Sequence, residues 1–508
     1  MILGTKVERK PSVGLRLLRA SGLVALGNIL SRLIALLFII ICARFLSEVE
    51  FGAFGVVQGT LTMFSIAAGL ALGMGATRFI ALYRAIDLER VQGVVLVVLC
   101  VGTVSSTLAA LALIFLAPWL AANWLYDVTL TSPLRWSAGQ LWMASQYGLV
   151  AGLIAGTERF ALLSLTSITQ NLIILLVAFI LIPLFNVIGA IGAQAVGFGC
   201  AVALGLWCIR DLFGKFNWST LRQHFRDEGR LLLDFCLPQV IGGLFLYPSF
   251  WIALALITRE EKGFVEVAYF TAADRYRLIL LFIATFVGTA LLPILTGEQA
   301  REEEPGAGKG LELALIGSSI LIVPLSAIIA FGGPEIMSLF GRSYRVNWSV
   351  LLPVIAWAGA GAHQSTIGMA LLAHGRQWLH SIQQVLYGII VILLTYMLRK
   401  SGGSGLALAH MLTMLMLLLI FLPILRYLKV LSLRSMLVII TSTCIICLLC
   451  TLAWLCPEQW RLALGVPVSI LVLICSILVF TTRSERKRFS RLIKPSGWET
   501  WALRDQNR

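Results

Sequence analysis

The chain has 508 residues, of which 59% are hydrophobic and only 13% charged, about half the roughly 25% charge of a soluble domain. With a mean hydropathy of +0.90 its main solvent is lipid. The net charge of +15 sits in tails and connections between apolar blocks, where orientation in a membrane explains it better than nucleic acid does.

A bilayer core of about 30 Å asks for a helix of about 20 apolar residues. On that rule the first helix falls near 22–42; it is too long for a signal-peptide core and contains Arg32, which marks it as a permanent span. Further helices are expected near 54–77, 92–117, 138–156, 162–183 and 187–209, then near 235–257, 267–295, 311–331, 350–373, 378–398 and 404–425, and finally near 433–455 and 462–482. The expected fold is thus an all-α polytopic membrane protein with about fourteen transmembrane helices. Placing the N-terminus inside puts roughly 28 of the 40 lysines and arginines on the cytoplasmic side and about 9 outside, so both termini are expected in the cytoplasm. Lys6, Arg9, Lys10, Arg16 and Arg19 precede the first helix, Arg210 to Arg230 lie between the sixth and seventh, and Arg483 to Lys494 follow the last. These runs also suit anionic lipid headgroups.

Comparing the chain with itself at an offset of about 211 residues sets Glu50 against Glu261 and Gly52 against Gly263. Ser167-Ile-Thr-Gln170 resembles Ser381-Ile-Gln-Gln384 in the same way. Two six-helix halves follow, 1–212 and 213–430, with 431–482 as an appended helix pair and 483–508 as a basic tail. An even number of helices per half makes them parallel repeats, an arrangement that places a cavity between halves that rock against each other.

Candidate site residues follow from cost. A guanidinium at mid-span costs about 2.5–3.5 kcal/mol on insertion scales, so Arg32 needs a reason to be there, either an anionic ligand or an interhelical partner. Asn28 lies one turn earlier on the same face. In the eighth helix Asp274 and Arg277 can pair at i and i+3, which leaves Arg275 over; the cluster belongs either to a cavity or to the external interface. Gln58 and Gln239, with Gln140, Gln194, Gln364, Gln383 and Gln384, place neutral donors and acceptors inside apolar blocks, where they suit sugar hydroxyls or serve as interhelical glue. Gly69 with Gly73, and Gly148, Gly152 and Gly156, read as close helix packing. Cys444, Cys447 and Cys450 have a metal-like spacing but no histidine or acid beside them. The five histidines are dispersed and no glycine-rich segment ends in Lys-Ser or Lys-Thr, so no cofactor or nucleotide is implied.

The stretch Leu30-Ser-Arg-Leu-Ile, then Ala43-Arg-Phe-Leu-Ser-Glu-Val-Glu-Phe-Gly-Ala-Phe, closing at Gly75-Ala-Thr-Arg-Phe-Ile, resembles the opening of the polysaccharide-flippase family of the multidrug/oligosaccharidyl-lipid/polysaccharide superfamily. The resemblance implies a Wzx-type transporter in the bacterial inner membrane that moves undecaprenyl-pyrophosphate-linked oligosaccharide to the periplasmic leaflet, with membrane lipids and other polysaccharide-assembly proteins as partners. Ser31-Arg32 and Ala43-Arg44 match that opening best, and the implied cationic cavity falls to Arg32, with Arg275 and Arg277 behind it. Lipid II flippases and multidrug antiporters of the superfamily are the competing readings; the antiporters' acidic residue in the first helix is absent here. A membrane glycosyltransferase, polymerase or ligase fits less well, because the longest external connections are only about 20 residues.

Overall fold

The computed structural model describes residues 13–84, 86–212, 218–299, 307–373 and 376–481. Among them are sixteen α-helices: α1 (Val13–Phe45), α2 (Glu48–Gly69), α3 (Leu72–Tyr83), α4 (Leu88–Trp119), α5 (Thr131–Gly156), α6 (Phe160–Cys208), α7 (Trp218–Thr258), α8 (Gly263–Gln299), α9 (Ala307–Phe331), α10 (Gly333–Ser338), α11 (Arg342–Val346), α12 (Leu351–Ala373), α13 (Gln377–Leu398), α14 (Gly402–Tyr427), α15 (Leu433–Leu455) and α16 (Glu458–Phe480). Lys6, Arg9, Lys10 and the basic stretch 483–508 lie outside the described residues.

Nine helical stretches among the described residues are long and apolar enough to cross a bilayer. Two of them, Phe160–Cys208 and Trp378–Tyr427, run to 49 and 50 residues, more than twice the length a span needs at 1.5 Å per residue. Both double back. In α6 the reversal is at Asn186, at φ 49° and ψ −124°. Gly189 then lies so close to the Leu181 carbonyl that a Cβ would stand 2.0 Å from it. The second reversal uses Gly402 at φ 57°, a left-handed conformation that glycine adopts without strain. Exposed Phe115, Leu184, Leu419 and Val479 give the bundle an apolar outer surface, as lipid contact demands.

One expected helix is two. The span placed at 54–77 breaks at Leu70 and Ala71, both in the left-handed region, and α3 leaves at a new angle. No proline or glycine occupies the break itself. Tertiary packing holds it: Cys236 of α7 donates its thiol to the Ala71 carbonyl at 3.6 Å, and Gly73 packs against the Gly148 carbonyl of α5. A Cβ on Gly152 would lie 2.3 Å from the Gly73 carbonyl and one on Gly156 2.8 Å from the Ile80 side chain, so this glycine stripe is where α3 and α5 approach. Gly69 meets nothing within 4 Å and takes no part.

At the bundle end that holds the C-terminus of α1, Ser47 caps α2 in a capping box with Glu50. The Arg44 guanidinium donates to the Leu339 and Ser338 carbonyls, each at 2.8 Å. Glu48 accepts from Tyr269 of α8 at 3.1 Å and from Ser343 of α11. Gly52 and Gly55 lie against the Phe264 carbonyl and Thr271, with a Cβ on Gly52 only 1.8 Å from that oxygen. α1 and α2 are thereby clamped to α8, α10 and α11. At the opposite end α7 packs on α3 and α4 through Phe235 against Phe79 and Arg90 near the buried Glu228 at 3.8 Å.

Candidate functional site

Two arginines lie where α1 meets α8. Arg32 is exposed, its guanidinium carbon 5.0 Å from the ring centroid of Phe282. Such a contact contributes about 0.5–1 kcal/mol at an exposed position, less than the cost of a mid-span guanidinium. Among the described residues Arg32 has no ion pair. Two turns up α8 from Phe282, Arg275 stands close to Cys42 of α1. Its Nε is buried without a hydrogen-bond partner among the described residues. Because α1 and α8 are antiparallel, both cations follow the same seam.

Arg277, two residues on, turns the other way. Its Nε donates to the Asp274 carboxylate at 2.6 Å, the i, i+3 pairing that the sequence suggests. Its guanidinium carbon lies 4.0 Å from the Trp357 ring centroid. Trp357 stacks in turn on His410, with centroids 4.3 Å apart and planes 7° from parallel, and Tyr387 is hydrogen-bonded to His410 Nδ1 at 2.8 Å. Phe250 closes the stack, 4.8 Å from the imidazole. All these residues lie between 6 and 14 positions from their nearer helix ends, or about 9–21 Å. The Asp274–Arg277 pair is therefore inside the bundle and not at its rim. The aromatic and histidine members escaped sequence reasoning, because four helices supply them and none has a local partner.

The polar residues in the apolar blocks sort into two groups. Asn28 accepts from Ser164 of α6 at 3.5 Å, and Ser31 is bonded to Ser167 at 2.6 Å and accepts from Asn171 at 2.8 Å. This face of α1 is glue to α6, which Asn28 bonds, while Arg32 one turn on reaches Phe282 of α8. Gln58, Gln140 and Gln194 also bond one another: Gln194 Oε1 accepts from Gln58 Nε2 at 2.7 Å and from Gln140 Nε2 at 2.5 Å. Gln58 and Gln140 border a cavity of about 620 Å³ between α2, α3, α5 and α6, which Tyr247 of α7 also lines.

In the second group the amides are partly or wholly unmatched. Gln239 Nε2, both polar atoms of Gln383 and Gln384 Oε1 are buried without hydrogen-bond partners among the described residues. Gln383 and Gln384 line a smaller cavity, about 180 Å³, with Arg277, Gln364 and His380. The Gln239 backbone is held through its neighbour, since Ser381 donates to the Pro238 carbonyl at 2.8 Å.

Outside the spans, the α5–α6 connection carries Arg159, whose guanidinium donates to the Cys208 carbonyl at 3.2 Å and to Asp211 at 2.9 Å. Hydrogen bonding to Arg159 holds the Asp211 carboxyl below the usual carboxylate range. In the corresponding α12–α13 connection, Arg376 donates to the Leu428 carbonyl at 3.4 Å.

Comparison with known proteins then adds family and fold. The family model described as "Polysaccharide biosynthesis protein" matches residues 17–299, more than half of the chain. An "EPS I polysaccharide export inner membrane protein EpsE" from Ralstonia solanacearum is 20% identical over 177 residues, 35% of this chain and 41% of that one. The chain thus spans about two fifths of the length of the curated relatives it matches. Among solved structures, "Lipid II flippase MurJ, inward closed conformation" superposes with a TM-score of 0.66 at 17% identity, over 92% of this chain and 99% of that one. An inward-facing "multidrug resistance MATE family transporter of the MOP superfamily" gives 0.59 at 14% identity, over 78% and 95%. At these identities the structures establish the fold alone.

Proposed function

Since the chain belongs to the polysaccharide biosynthesis protein family, we propose that it carries undecaprenyl-pyrophosphate-linked oligosaccharide across the bacterial inner membrane by alternating access. Family and fold are those of a transporter and not of an enzyme. One observation carries the proposal: Arg32 and Arg275 follow the same α1–α8 seam, and neither makes a direct salt bridge among the described residues, since the Asp274 carboxylate near Arg275 is bonded to Arg277. Two cations without a carboxylate of their own suit a pyrophosphate, whose oxygens accept forked, charge-assisted hydrogen bonds. The relatives named for polysaccharide export from an inner membrane support the substrate class and the location.

In this reading α2 and α3 together make one crossing, each arm of α6 makes one, and α10 and α11 cap the periplasmic end, which gives fourteen crossings. Residues 1–212 and 213–430 are the moving halves, α15 and α16 are an appended pair, and 483–508 is a cytoplasmic tail. The Arg44–Glu48–Ser343 clamp then closes the periplasmic side. Reporter fusions at Arg90, Arg226 and Arg488 should read cytoplasm, and fusions at Asp127, Lys262 and Arg345 periplasm. An external C-terminus breaks the topology.

The decisive experiment is deletion of the gene in a glycan-producing strain. Surface glycan should be lost and lipid-linked repeat units should accumulate on the cytoplasmic leaflet. Complementation with Arg32→Ala should fail at normal protein level, while Arg32→Lys should restore export in part. The match to a lipid II flippase over 92% of the chain supports lipid II as the second reading, and lysis with loss of cell-wall synthesis would select it. Unchanged glycan with increased drug sensitivity would replace both with an antiporter.

A further inference from the structure

The small cavity in the C-terminal half contains polar atoms that the seam does not use. Gln383 is only 3% exposed, yet neither its Oε1 nor its Nε2 has a partner among the described residues. Gln384 Oε1 and His380 Nδ1 are buried and unmatched in the same way, while Gln384 Nε2 and His380 Nε2 lie 3.0 Å apart. Of the Arg277 guanidinium only Nε has a hydrogen-bond partner among the described residues, so its terminal nitrogens remain as donors. All four side chains line the same cavity, and Phe250, Leu281 and Met414 supply its apolar wall. Buried donors and acceptors left unpaired are costly, and the side chains that carry them line one space.

We propose that this cavity is a recognition subsite for one neutral sugar ring of the transported glycan, an inference that rests on the transport reading above. Three features select that occupant. Amide and imidazole groups offer donors and acceptors together, which matches hydroxyls that do both. The lining holds no acidic side chain to draw a metal cation, and the charge of Arg277 is paired with Asp274, which leaves a neutral ring the better occupant. The volume of about 180 Å³ equals that of about six waters at ~30 Å³ each and falls below the ~300 Å³ typical of sites for larger ligands. It fits one ring with apolar carbons on the Phe250–Leu281–Met414 side and hydroxyls on the Gln383–His380 side. α8 then serves both parts of the substrate, presenting Arg275 to the seam and Arg277 to the sugar.

Gln383→Leu and the unbranched Gln383→Met remove the amide and keep an apolar side chain of similar size. The full-length protein in nanodiscs is heated with methyl glycosides of each sugar in the strain's own surface glycan. At least one glycoside should raise the wild-type melting temperature, by the linkage of binding to stability. That shift should vanish in both variants while their ligand-free melting temperature stays equal or rises. In cells both variants should export at least about tenfold less glycan at normal protein level, the scale of loss when a buried substrate hydroxyl is left without its partner. Normal export in either folded variant, or glycosides that stabilise neither or both proteins, overturns the subsite. Failure of the transport reading is seen separately, because the deletion strain would then keep its surface glycan before any point variant is made.

Discussion

Two regions of the bundle, α2–α6 and α7–α14, treat buried glutamines in opposite ways. In the first Gln58, Gln140 and Gln194 sit on three helices and satisfy one another, so the larger cavity beside them is walled by a finished network. In the second Gln383 and Gln384 line a cavity, and both polar atoms of Gln383 and the Gln384 Oε1 have no partner among the described residues. The ion pairs differ too. Among the described residues those within the first region and its connections lie at helix ends, whereas Asp274 and Arg277 pair deep inside α8, side chains 18% and 16% exposed. The glutamines of the first region hold it together; those of the second are left with unused capacity.

The sharpest break of this comparison is at the buried pair. Asp274→Ala leaves Arg277 against Trp357 without its carboxylate and should cost about 3–5 kcal/mol of stability, the usual penalty for removing one partner of a buried pair. The double variant Asp274→Leu with Arg277→Met should recover most of that loss, since an apolar pair of similar volume is often neutral. Unfolding of the detergent-purified proteins measures both. A double variant no more stable than the single one would mean that the pair organises the aromatic stack through its charge.

A smaller effect separates the glutamines. Gln194→Leu removes the acceptor shared by Gln58 and Gln140 and should destabilise by about 1–3 kcal/mol. Gln383→Leu should not destabilise at all. Equal losses at the two positions would erase the distinction between a finished and an open network.

The smallest effect is at the connections. Arg159 lowers the pKa of Asp211, so the carboxylate contributes stability above the ordinary carboxylate pKa of ~3.9. That contribution is lost as pH falls through the lowered folded-state value. Both side chains are well exposed, at 39% and 50%, so the contribution is at most about 1 kcal/mol. Arg376, bonded to a carbonyl, should confer no such dependence. Melting curves between neutral and strongly acid pH should therefore shift less between wild type and Asp211→Asn at the acid end than at neutral pH, and Arg376→Gln should shift them equally throughout.

Hydropathy alone made the bundle legible, because lipid requires every backbone polar group to be satisfied within its own segment. The Asp274–Arg277 pairing was legible for a similar reason, since spacing on a single helix is local information. Arg32 was legible as a cost without a partner. The reversal within α6 and the order of helices followed from length. By contrast, Gly52 read only as a repeat position, although its contact with the Phe264 carbonyl makes it the closest approach in the clamp. The Ser47–Glu50 capping box was readable as a spacing, and it marks the start of α2 several residues before the apolar run near 54.

By itself the sequence determined that this is a helical membrane protein with a costly arginine in its first span and a polar pair in its eighth, because hydrophobic length and helical spacing are properties of short segments. Only the tertiary structure decided that α2 and α3 part at Leu70 and Ala71, that Asn28 bonds α6 while Arg32 faces α8, and that the Asp274–Arg277 pair lies among Trp357, His410 and Tyr387. It also decided which glutamines are glue and which are open. A side chain's hydrogen bonds depend on what other helices bring to it, 23 residues away in sequence for Tyr387 and His410 and 136 for Asn28 and Ser164, and no local pattern encodes that meeting.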